Sequence, residues 1–312
     1  MAIKQVTIFG GSGFLGRYVV RRLAAKGIRL RVCCRQPKLA MHLKPMGDVG
    51  QISLEHCDLA VTRELGKFLQ GSDAVVNLVG ILYEGGRQTF RRLQAEAPGD
   101  IADAAKTVGI ERMVQMSAIG AAPEGRAIYA QTKAEGERAV LAVLPGATIL
   151  RPSVVFGAED EFFNRFAKLT AVSPFLPLVG GGNTKFQPVY VDNVAEAVVR
   201  CLEDPGTAGK IYELGGPKTY SFREILEYLL VVLRKRRLLL PLPFGAARLQ
   251  AWFLEWLPSP PLTRDQVTML KSDNVVAEDA LTLKDLGIEP TPLEAIVPAY
   301  LSTYARRKLT AA

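Results

Sequence analysis

A tyrosine and a lysine lie four residues apart in the segment Tyr129-Ala-Gln-Thr-Lys133. If this segment is helical, both side chains share one face, because residues i and i+4 are neighbours on a helix. A phenol has an ordinary pKa of about 10 and is a poor base at neutral pH until a nearby cation favours its ionised form. The pair therefore marks a candidate general acid/base, although on spacing alone an ordinary pair on a helix surface is the favoured interpretation.

A glycine-rich segment, Gly10-Gly-Ser-Gly13-Phe-Leu-Gly16, follows an apolar stretch near the start of the sequence and opens an amphipathic helical pattern. In such a segment Gly10 permits a tight turn, Gly13 lets a pyrophosphate approach the backbone, and Gly16 lets helix and strand pack closely. The helix N-terminus adds free N–H groups and the positive end of the helix dipole. The segment predicts a dinucleotide-binding turn; the alternative is a relic turn that no longer holds a ligand.

The end of the second apolar stretch distinguishes between dinucleotides. A site specific for NAD usually places an acidic residue there, but this sequence has no acid before Asp48. Arg35 occupies that neighbourhood and Lys38 follows it. An arginine can pair with a 2′-phosphate in a bidentate way and stack on adenine. We therefore expect NADP(H) rather than NAD(H), the alternative for Arg35 being a solvated surface charge.

Other candidate residues follow further apolar stretches. Asp58 and Leu59 follow the third, where a carboxylate can bond the adenine amino group. The alternative is that Asp58 is a helix N-cap or an ordinary loop aspartate. Asn77 to Gly80 end the fourth, where small residues let a cofactor pass close to the backbone. An ordinary turn at the end of a strand is an equal alternative for Gly80. Ser117 ends the fifth stretch.

The elements that must position these residues alternate short apolar strands with helical patterns, which is typical of a parallel sheet covered on both faces. Leu15, Val19 and Leu23 recur at four-residue spacing, and Gly27 is placed to end that helix. We predict an α/β fold with a doubly wound parallel Rossmann sheet. The expected strands are Val6–Phe9, Leu30–Cys34, Ile52–Cys57, Ala74–Val79, Met113–Met116, Thr148–Leu150 and Val189–Val191.

The strict alternation weakens from about residue 152. We expect a cofactor-binding domain over residues 1–155, with core strands also contributed by about 185–200. A smaller, mostly helical C-terminal lobe is expected over residues 156–312. Within it, Ser221-Phe-Arg-Glu224 reads as a capping box that opens a helix.

Composition excludes several classes of protein. The net charge of +8 is concentrated in residues 1–47, which hold ten Lys and Arg and no acid, where a phosphate-bearing cofactor would bind. No basic-aromatic module supports nucleic-acid binding. The four cysteines and two histidines form no metal-binding spacing, so no metal is expected. The sequence begins without a secretory signal and has no apolar run long enough to span a bilayer, so a cytoplasmic-type protein is expected.

Residues 225–257 combine long apolar runs with the basic cluster Arg234 to Arg237, and both tryptophans of the chain, Trp252 and Trp256, lie there. Apolar residues beside a basic cluster suit peripheral contact with an anionic membrane, or docking onto a membrane-protein partner. The alternative is that these residues form the core of the C-terminal lobe, with the basic run as its solvated edge.

With the glycine turn, Ser117, Tyr129 and Lys133 in this order, the sequence resembles the extended short-chain dehydrogenase/reductase superfamily. The resemblance implies Tyr129 as general acid/base and Lys133 as the residue that holds the nicotinamide ribose and lowers the tyrosine pKa. It implies Ser117 as the residue that bonds a reacting carbonyl. Extended members usually have several serines at this strand end, where this sequence has one, so Ala118 or Ile119 is an alternative occupant of the active position.

The sequence also resembles the NADPH-binding Rossmann accessory subunit of respiratory complex I, the alpha-subcomplex subunit nine family, as a bacterial-type member. This resemblance implies a tightly held NADPH, a structural role, and peripheral attachment near the ubiquinone site, on the inner face of the bacterial inner membrane. The segments that carry it span most of the chain and are Leu78–Glu84, Gln187–Asp192, Thr263–Gln266 and Asp285–Glu294.

Two functions remain open at this point. The first is an NADP(H)-binding accessory protein attached to complex I or to a quinone-biosynthesis assembly. The second is an active NADP-dependent reductase, dehydrogenase or epimerase acting on an apolar substrate such as a quinone or isoprenoid precursor. The full set of candidate cofactor-binding residues is Gly10, Ser12, Gly13, Phe14, Leu15, Gly16, Arg35, Asp58, Leu59, Asn77, Val79, Gly80, Ser117, Tyr129, Lys133, Pro152 and Val155.

Overall fold

The computed structural model describes residues 3–304 and divides the chain into two compact units. Within the described residues, unit 1 consists of residues 3–152, 191–214 and 277–289, and unit 2 of residues 153–190, 215–276 and 290–304. The strands are β1 Gln5–Phe9, β2 Arg29–Cys34, β3 Ile52–His56, β4 Ala74–Asn77, β5 Arg112–Met116, β6 Thr148–Pro152, β7 Val155–Phe156, β8 Phe175–Val179, β9 Lys185–Phe186, β10 Val189–Tyr190, β11 Ile211–Leu214, β12 Tyr220–Ser221 and β13 Leu238–Leu242.

The connections between strands are mostly helical. A π-helical turn, Arg91–Glu96, leads directly into the third α-helix. A 3₁₀ helix of 10 residues, Pro37–Met46, follows β2. The α-helices are α1 Phe14–Ala25, α2 Gly66–Leu69, α3 Ala97–Thr107, α4 Ile128–Val143, α5 Phe162–Val172, α6 Val191–Glu203, α7 Phe222–Leu233, α8 Phe244–Leu254, α9 Arg264–Met269 and α10 Leu293–Leu301.

Unit 1 is built on a seven-stranded, fully parallel sheet with the order β11-β6-β5-β4-β1-β2-β3. The strand order reverses between β1 and β4, which pair directly with Val6 opposite Ala74. Ligands of open α/β sheets bind outside the carboxyl ends of the strands at such a reversal. The topology therefore places a binding crevice after β1 and β4, and the predicted doubly wound Rossmann fold is confirmed.

Both faces of this sheet are covered, because successive strand side chains point to opposite sides. Residues of one parity, such as Phe9 and Val75, pack with α3 and α4, while Ile8 and Val76 of the other parity are also fully buried. Helix α1 packs against α6, and the guanidinium of Arg22 contacts the carboxylate of Asp192 at 2.9 Å between them. The near-continuous apolar strands follow from this two-sided burial.

The prediction of a sheet strand around residues 185–200 is wrong. Val189 and Tyr190 form a two-residue strand that pairs with β7 inside unit 2, and Val191 already begins α6. The β-branched run misled the prediction, whereas Val191, Val194 and Val198 recur at helical spacing and are buried on one face of α6. The seventh strand of the sheet is instead β11, which the sequence analysis missed. The chain also returns to unit 1 at 191–214 and 277–289, so residues 156–312 are not one continuous lobe.

Unit 2 combines short strand pairs, β10 with β7, β12 with β9 and β13 with β8, with the helices α5 and α7–α10. Its core is rich in phenylalanine, with Phe156 and Phe163 fully buried. The capping box at the start of α7 is confirmed, since the Ser221 side chain accepts from the Glu224 N–H and the Glu224 carboxylate accepts from the Ser221 N–H. Within residues 3–304, no helix is both long and apolar enough to cross a membrane.

Candidate functional site

Two loops meet at the point where the strand order reverses. The N–H of Leu78, directly after β4, donates to the carbonyl of Phe9 at the end of β1 over 2.9 Å. A Cβ placed on Gly10 would lie 3.1 Å from the backbone nitrogen of Val79. The turn after β1 and the loop after β4 are therefore in contact at the edge of the sheet where a dinucleotide is expected.

The glycine turn has the geometry that its sequence predicts. Gly10 has a φ of +78°, which a residue with a side chain rarely adopts, and its carbonyl accepts from the N–H of Gly13 over 3.1 Å. A Cβ on Gly16 would lie 2.5 Å from the Gly10 oxygen and 2.5 Å from Gly11 backbone atoms, so only glycine fits where α1 crosses the turn. A Cβ on Gly13 would meet only the Gly10 oxygen, at 3.4 Å. Gly16 thus packs helix against turn, and Gly13 leaves the backbone at the start of α1 approachable.

A buried polar chain connects the loop after β4 with α4. The Asn77 side-chain oxygen accepts from the Val79 N–H over 3.1 Å, and its Nδ2 donates to Gln115 Oε1 over 2.9 Å. Gln115 in turn donates to the carbonyl of Met116, which also accepts from Lys133 Nζ over 3.2 Å. Asn77, Gln115 and Lys133 are all buried. Because each link is hydrogen bonded, the chain fixes the position of the lysine ammonium relative to the loop after β4.

Tyr129 and Lys133 lie on the same face of α4, as predicted, with the ammonium 5.9 Å from the centre of the phenol ring. The phenol ring contacts Phe90 edge-to-face, with the ring centres 6.0 Å apart. Burial raises the pKa of Tyr129 to about 12, and burial lowers the pKa of Lys133 to about 8 against a smaller opposing effect of Glu137. Burial thus favours the protonated phenol, the form that can donate a proton.

The Glu137 carboxylate, which opposes the effect of burial on the pKa of Lys133, is itself bound by Arg151. Its two carboxylate oxygens accept from Arg151 Nε at 2.9 Å and from a terminal guanidinium nitrogen of Arg151 at 2.6 Å. This bidentate geometry is the most favourable one for an arginine and a carboxylate. The lysine is thus left as a buried cation whose one hydrogen bond, among the described residues, goes to a backbone carbonyl.

Ser117 follows β5 and is 4% exposed, while its N–H donates to Leu150 over 2.7 Å. Its hydroxyl has no hydrogen-bond partner within residues 3–304. Buried polar atoms without a partner are rare and mark strain or a site for a ligand. Of the two alternative occupants of the active position, Ala118 is partly exposed and Ile119 is buried.

The candidate residues after β2 and β3 differ in availability. Arg35 directly follows β2 and is exposed. The carboxylate of Asp58 already accepts from the Ala60 N–H and from Gln88 Nε2, over 3.0 and 3.1 Å. Leu59 is buried in the core of unit 1, and its carbonyl accepts from Arg92 Nε. Both bonds to Asp58 go to its Oδ1, so the groups of this set that can still meet a ligand are the exposed Arg35 side chain and Asp58 Oδ2.

The structure brings nearly all the predicted site residues to one edge of the unit 1 sheet. The glycine turn with Ser12, Phe14 and Leu15 follows β1, Val79 and Gly80 follow β4, and Pro152 ends β6. Val155 belongs to β7 in unit 2, so unit 1 does not hold it. Gly80 lies against the catalytic candidates, since a Cβ there would be 3.2 Å from Lys133 Nζ.

Sequence reasoning missed two residues that organise this edge. Gln115 connects Asn77 to the Met116 carbonyl. Glu137, one turn after Lys133 on α4, forms a partly buried ion pair with Arg151. The available signal for Gln115 was an amide inside an otherwise apolar strand, because a buried polar side chain needs a partner. For Glu137 the signal was its spacing of four from Lys133, on the same helix face.

These residues fit a nicotinamide dinucleotide. The turn that only glycine can form, the approachable start of α1, the buried ammonium with donors to spare and the unpartnered Ser117 hydroxyl would hold the pyrophosphate and the nicotinamide ribose. When bound, the dinucleotide supplies a hydride donor or acceptor. The protein's own part is to bind it and orient it, and Tyr129 holds a proton at its phenol oxygen.

The chain is similar to known proteins over most of its length. Residues 6–215 match the NAD dependent epimerase/dehydratase family. The mitochondrial NADH dehydrogenase (ubiquinone) 1 alpha subcomplex subunit 9 of Arabidopsis thaliana is 36% identical over 312 residues, covering 96% of this chain and 78% of the relative. Its counterpart in Mus musculus is 34% identical over 300 residues, covering 92% of this chain and 77% of the relative.

Among solved structures, the dTDP-glucose 4,6-dehydratase DesIV of Streptomyces venezuelae, solved with NAD bound, superposes with a TM-score of 0.73 over 96% of both chains. At 19% identity it shows the fold alone. The chain therefore belongs to the NAD dependent epimerase/dehydratase family and, within it, to the family of complex I alpha subcomplex subunit 9 proteins.

Proposed function

We propose that this protein is an NADP(H)-binding accessory subunit of respiratory complex I, with a structural rather than a catalytic role. The observation that carries the proposal is the extent of the match to the Arabidopsis subunit, 36% identity over 96% of this chain. That match leaves about 4% of the chain uncovered, so it extends well beyond residues 6–215, which match the epimerase/dehydratase family. A quinone-biosynthesis assembly is the alternative host.

The choice of NADP(H) over NAD(H) rests on the end of β2. Arg35 follows β2 directly and is exposed, and Lys38 is exposed three residues later. No acid precedes Asp48 in the sequence, so nothing there would bond a free ribose 2′-hydroxyl in the usual way. A guanidinium at this position favours a 2′-phosphate.

The structural role is supported by the burial of Ser117, the candidate partner for a substrate carbonyl, which is 4% exposed. A nucleotide that binds the folded chain stabilises that fold by mass action.

A second candidate function is an active NADP-dependent reductase, dehydrogenase or epimerase on an apolar substrate such as a quinone or isoprenoid precursor. The placement of Tyr129 and Lys133 on one face of α4 favours it. The match to an accessory subunit along the chain weighs against it.

We also propose that the protein is peripheral to the inner face of the bacterial inner membrane and makes contact there through about residues 225–257. This placement agrees with a subunit that docks near the ubiquinone site. Nucleic acid is not among the proposed partners.

The experiment that tests the proposal has two readouts. Nucleotide released from the purified protein is identified by mass spectrometry, and a tagged chain expressed in its own host is followed on native gels of detergent-solubilised membranes. Stoichiometric NADPH, together with migration at the position of NADH:ubiquinone oxidoreductase activity, is expected. A chain that migrates alone and turns over NADPH with a quinone or carbonyl compound would overturn the structural role.

A further inference from the structure

Helix α8 of unit 2 carries its apolar residues in an unusual arrangement. Its small residues Ala247 and Ala251 are fully buried and pack with Val179 and Val267. Its large apolar residues are exposed instead: Phe253 is 61% and Trp256, two residues beyond the helix end, is 80% exposed. A helix on a solvated surface normally turns polar side chains towards water, whereas α8 turns large apolar side chains outward.

The angular positions define the exposed face. At about 100° per residue, Ala247 and Ala251 point to one side of α8, and Leu249, Trp252 and Phe253 point within about 60° of the opposite side. Trp252 and Phe253 contact each other edge-to-face with ring centres 4.8 Å apart. The residues Leu249, Trp252, Phe253 and Trp256 are called the aromatic face below.

The charges next to this face in the sequence are of one sign. From Tyr228 to Leu254 the sequence contains five Lys and Arg and no acid. The next acid, Glu255, is ion-paired with Arg264 at 2.7 Å. Arg234, Arg236 and Arg248 are exposed and form no ion pair within the described part of the chain. The chain segment that carries the aromatic face therefore also carries uncompensated positive charge.

We infer that the aromatic face inserts into the boundary between headgroups and acyl chains of a bilayer, while Arg234, Arg236 and Arg248 bind anionic lipid headgroups. The inference deepens the membrane contact in the proposed function by naming the side chains and the lipid chemistry. Tryptophan and phenylalanine suit this depth, since their rings tolerate an apolar body beside a wet edge. Each cation near an anionic surface adds to the attraction.

An anionic bilayer explains the surface better than an apolar protein partner does. A protein partner would need its own apolar patch with acidic residues around it, whereas the headgroup region of an anionic membrane supplies both along its whole area. The exposed Leu238 and Leu240 on β13, which ends two residues before α8, extend the apolar character of the same segment. The segment lies on a membrane rather than spanning it, because α8 has only 11 residues.

The chain offers its own reporter for a test, because its two tryptophans, Trp252 and Trp256, both belong to the aromatic face. Purified full-length protein is mixed with vesicles of phosphatidylcholine alone, or of equal parts phosphatidylcholine and phosphatidylglycerol. We expect a blue shift of tryptophan emission and quenching by brominated acyl chains with the anionic vesicles, and much weaker effects with the neutral ones. Unshifted emission with both would overturn the inference.

Variants assign the effect to the named residues. The double substitution Leu249→Ser with Phe253→Ser keeps both tryptophans and is expected to weaken binding to anionic vesicles at least ~10-fold. Arg236→Glu with Arg248→Glu is expected to abolish the preference for anionic lipid. Val49→Ser and Lys106→Glu, at exposed positions of unit 1, serve as matched controls and are expected to leave binding unchanged. Equal loss in the controls would contradict the assignment.

The vesicle assay uses this chain alone, so it is independent of complex I. Vesicle binding without migration alongside NADH:ubiquinone oxidoreductase would overturn the proposed function and leave the membrane face standing. Migration with the complex but no vesicle binding would instead indicate that the aromatic face covers an apolar surface of a neighbouring subunit, which would overturn the inference.

Discussion

The ammonium nitrogen of Lys133 lies 3.2 Å from the carbonyl oxygen of Met116, the residue directly before Ser117. This hydrogen bond fixes a cation against the carboxyl end of β5, in a place where burial lowers the lysine pKa to about 8. Since Glu137 is engaged by Arg151, no carboxylate nearby neutralises the lysine fully. The fold therefore keeps Lys133 at the nucleotide site at a cost to its own stability.

Replacing this lysine should stabilise the nucleotide-free protein. The cost of burying the charged form is about 3 kcal/mol at pH 7, and a lost hydrogen bond to Met116 offsets about 1 kcal/mol of it. We expect Lys133→Met to be about 2 kcal/mol more stable than the parent at pH 7 by urea unfolding, and to bind NADPH at least ~10-fold more weakly. Lower stability of the variant at pH 7 would show that the buried charge is not a cost.

The pH dependence has a definite sign. The folded pKa of Lys133, about 8, is below the ordinary 10.5, so the unfolded chain binds more protons between these values. Stability of the parent relative to Lys133→Met should therefore rise from pH 8 towards pH 10.5 and be constant below that window. Lys106→Met, on the exposed side of α3, is the matched control and should show no such trend.

Gly16 should tolerate no side chain. An alanine Cβ would lie 2.5 Å from backbone atoms of Gly10 and Gly11, which cannot move without opening the turn. We expect Gly16→Ala to lower the free energy of unfolding by about 2 kcal/mol and to weaken NADPH binding at least ~10-fold. Thermal denaturation and a titration with NADPH measure both effects. At Gly66 a Cβ meets nothing within 4 Å, so in these two assays the control Gly66→Ala should be neutral or slightly stabilising.

Arg35 should set the choice between NADPH and NADH. Removing a charge-assisted contact to the 2′-phosphate costs about 1.5–3 kcal/mol, or roughly 10- to 100-fold in affinity. Arg35→Ser is expected to lose that much affinity for NADPH and little for NADH, as measured by fluorescence titration. Arg29 is the first residue of the same strand, β2, so it lies at the end of the strand away from Arg35. Arg29→Ser should therefore leave the affinities for NADPH and NADH unchanged. Equal losses for both nucleotides would argue against a 2′-phosphate contact.

Tyr129→Phe separates the two candidate functions. The phenylalanine ring keeps the contact with Phe90, so the free energy of unfolding should change by less than about 1 kcal/mol. In the structural role, nucleotide content and migration with complex I are unchanged in the variant. Normal nucleotide binding combined with a lost cellular function would instead establish Tyr129 as a proton donor in catalysis.

Features that depend on neighbouring residues in the sequence were predictable. The turn from Gly10 to Gly16 was found because tight turning and close helix packing each demand glycine at a fixed spacing. Gly27 ends α1 with a φ of +75° for the same local reason. The six strands β1–β6 were found because burial on both faces makes their apolar runs nearly continuous.

Features that depend on distant pairing were not predictable. Strand β11 has four residues and includes Glu213, so it lacks the apolar run of its neighbours. Its charged residue is accommodated because Arg151 on the paired strand β6 lies 3.5 Å away, a contact that no local pattern reveals. The same holds for Gln115, whose partner Asn77 lies on the neighbouring strand β4, 38 residues earlier in the chain.

The late position of β11 in the chain has a consequence for protein synthesis. Strand β6 ends at Pro152, but the strand that pairs with its outer side begins only at Ile211. While the ribosome makes the intervening residues, β6 presents unsatisfied N–H and carbonyl groups, which invite pairing with other nascent chains. A chain terminated near residue 155 would keep that edge permanently, so we expect such a fragment to aggregate, and the full-length nascent chain to need a chaperone until Leu214 has emerged.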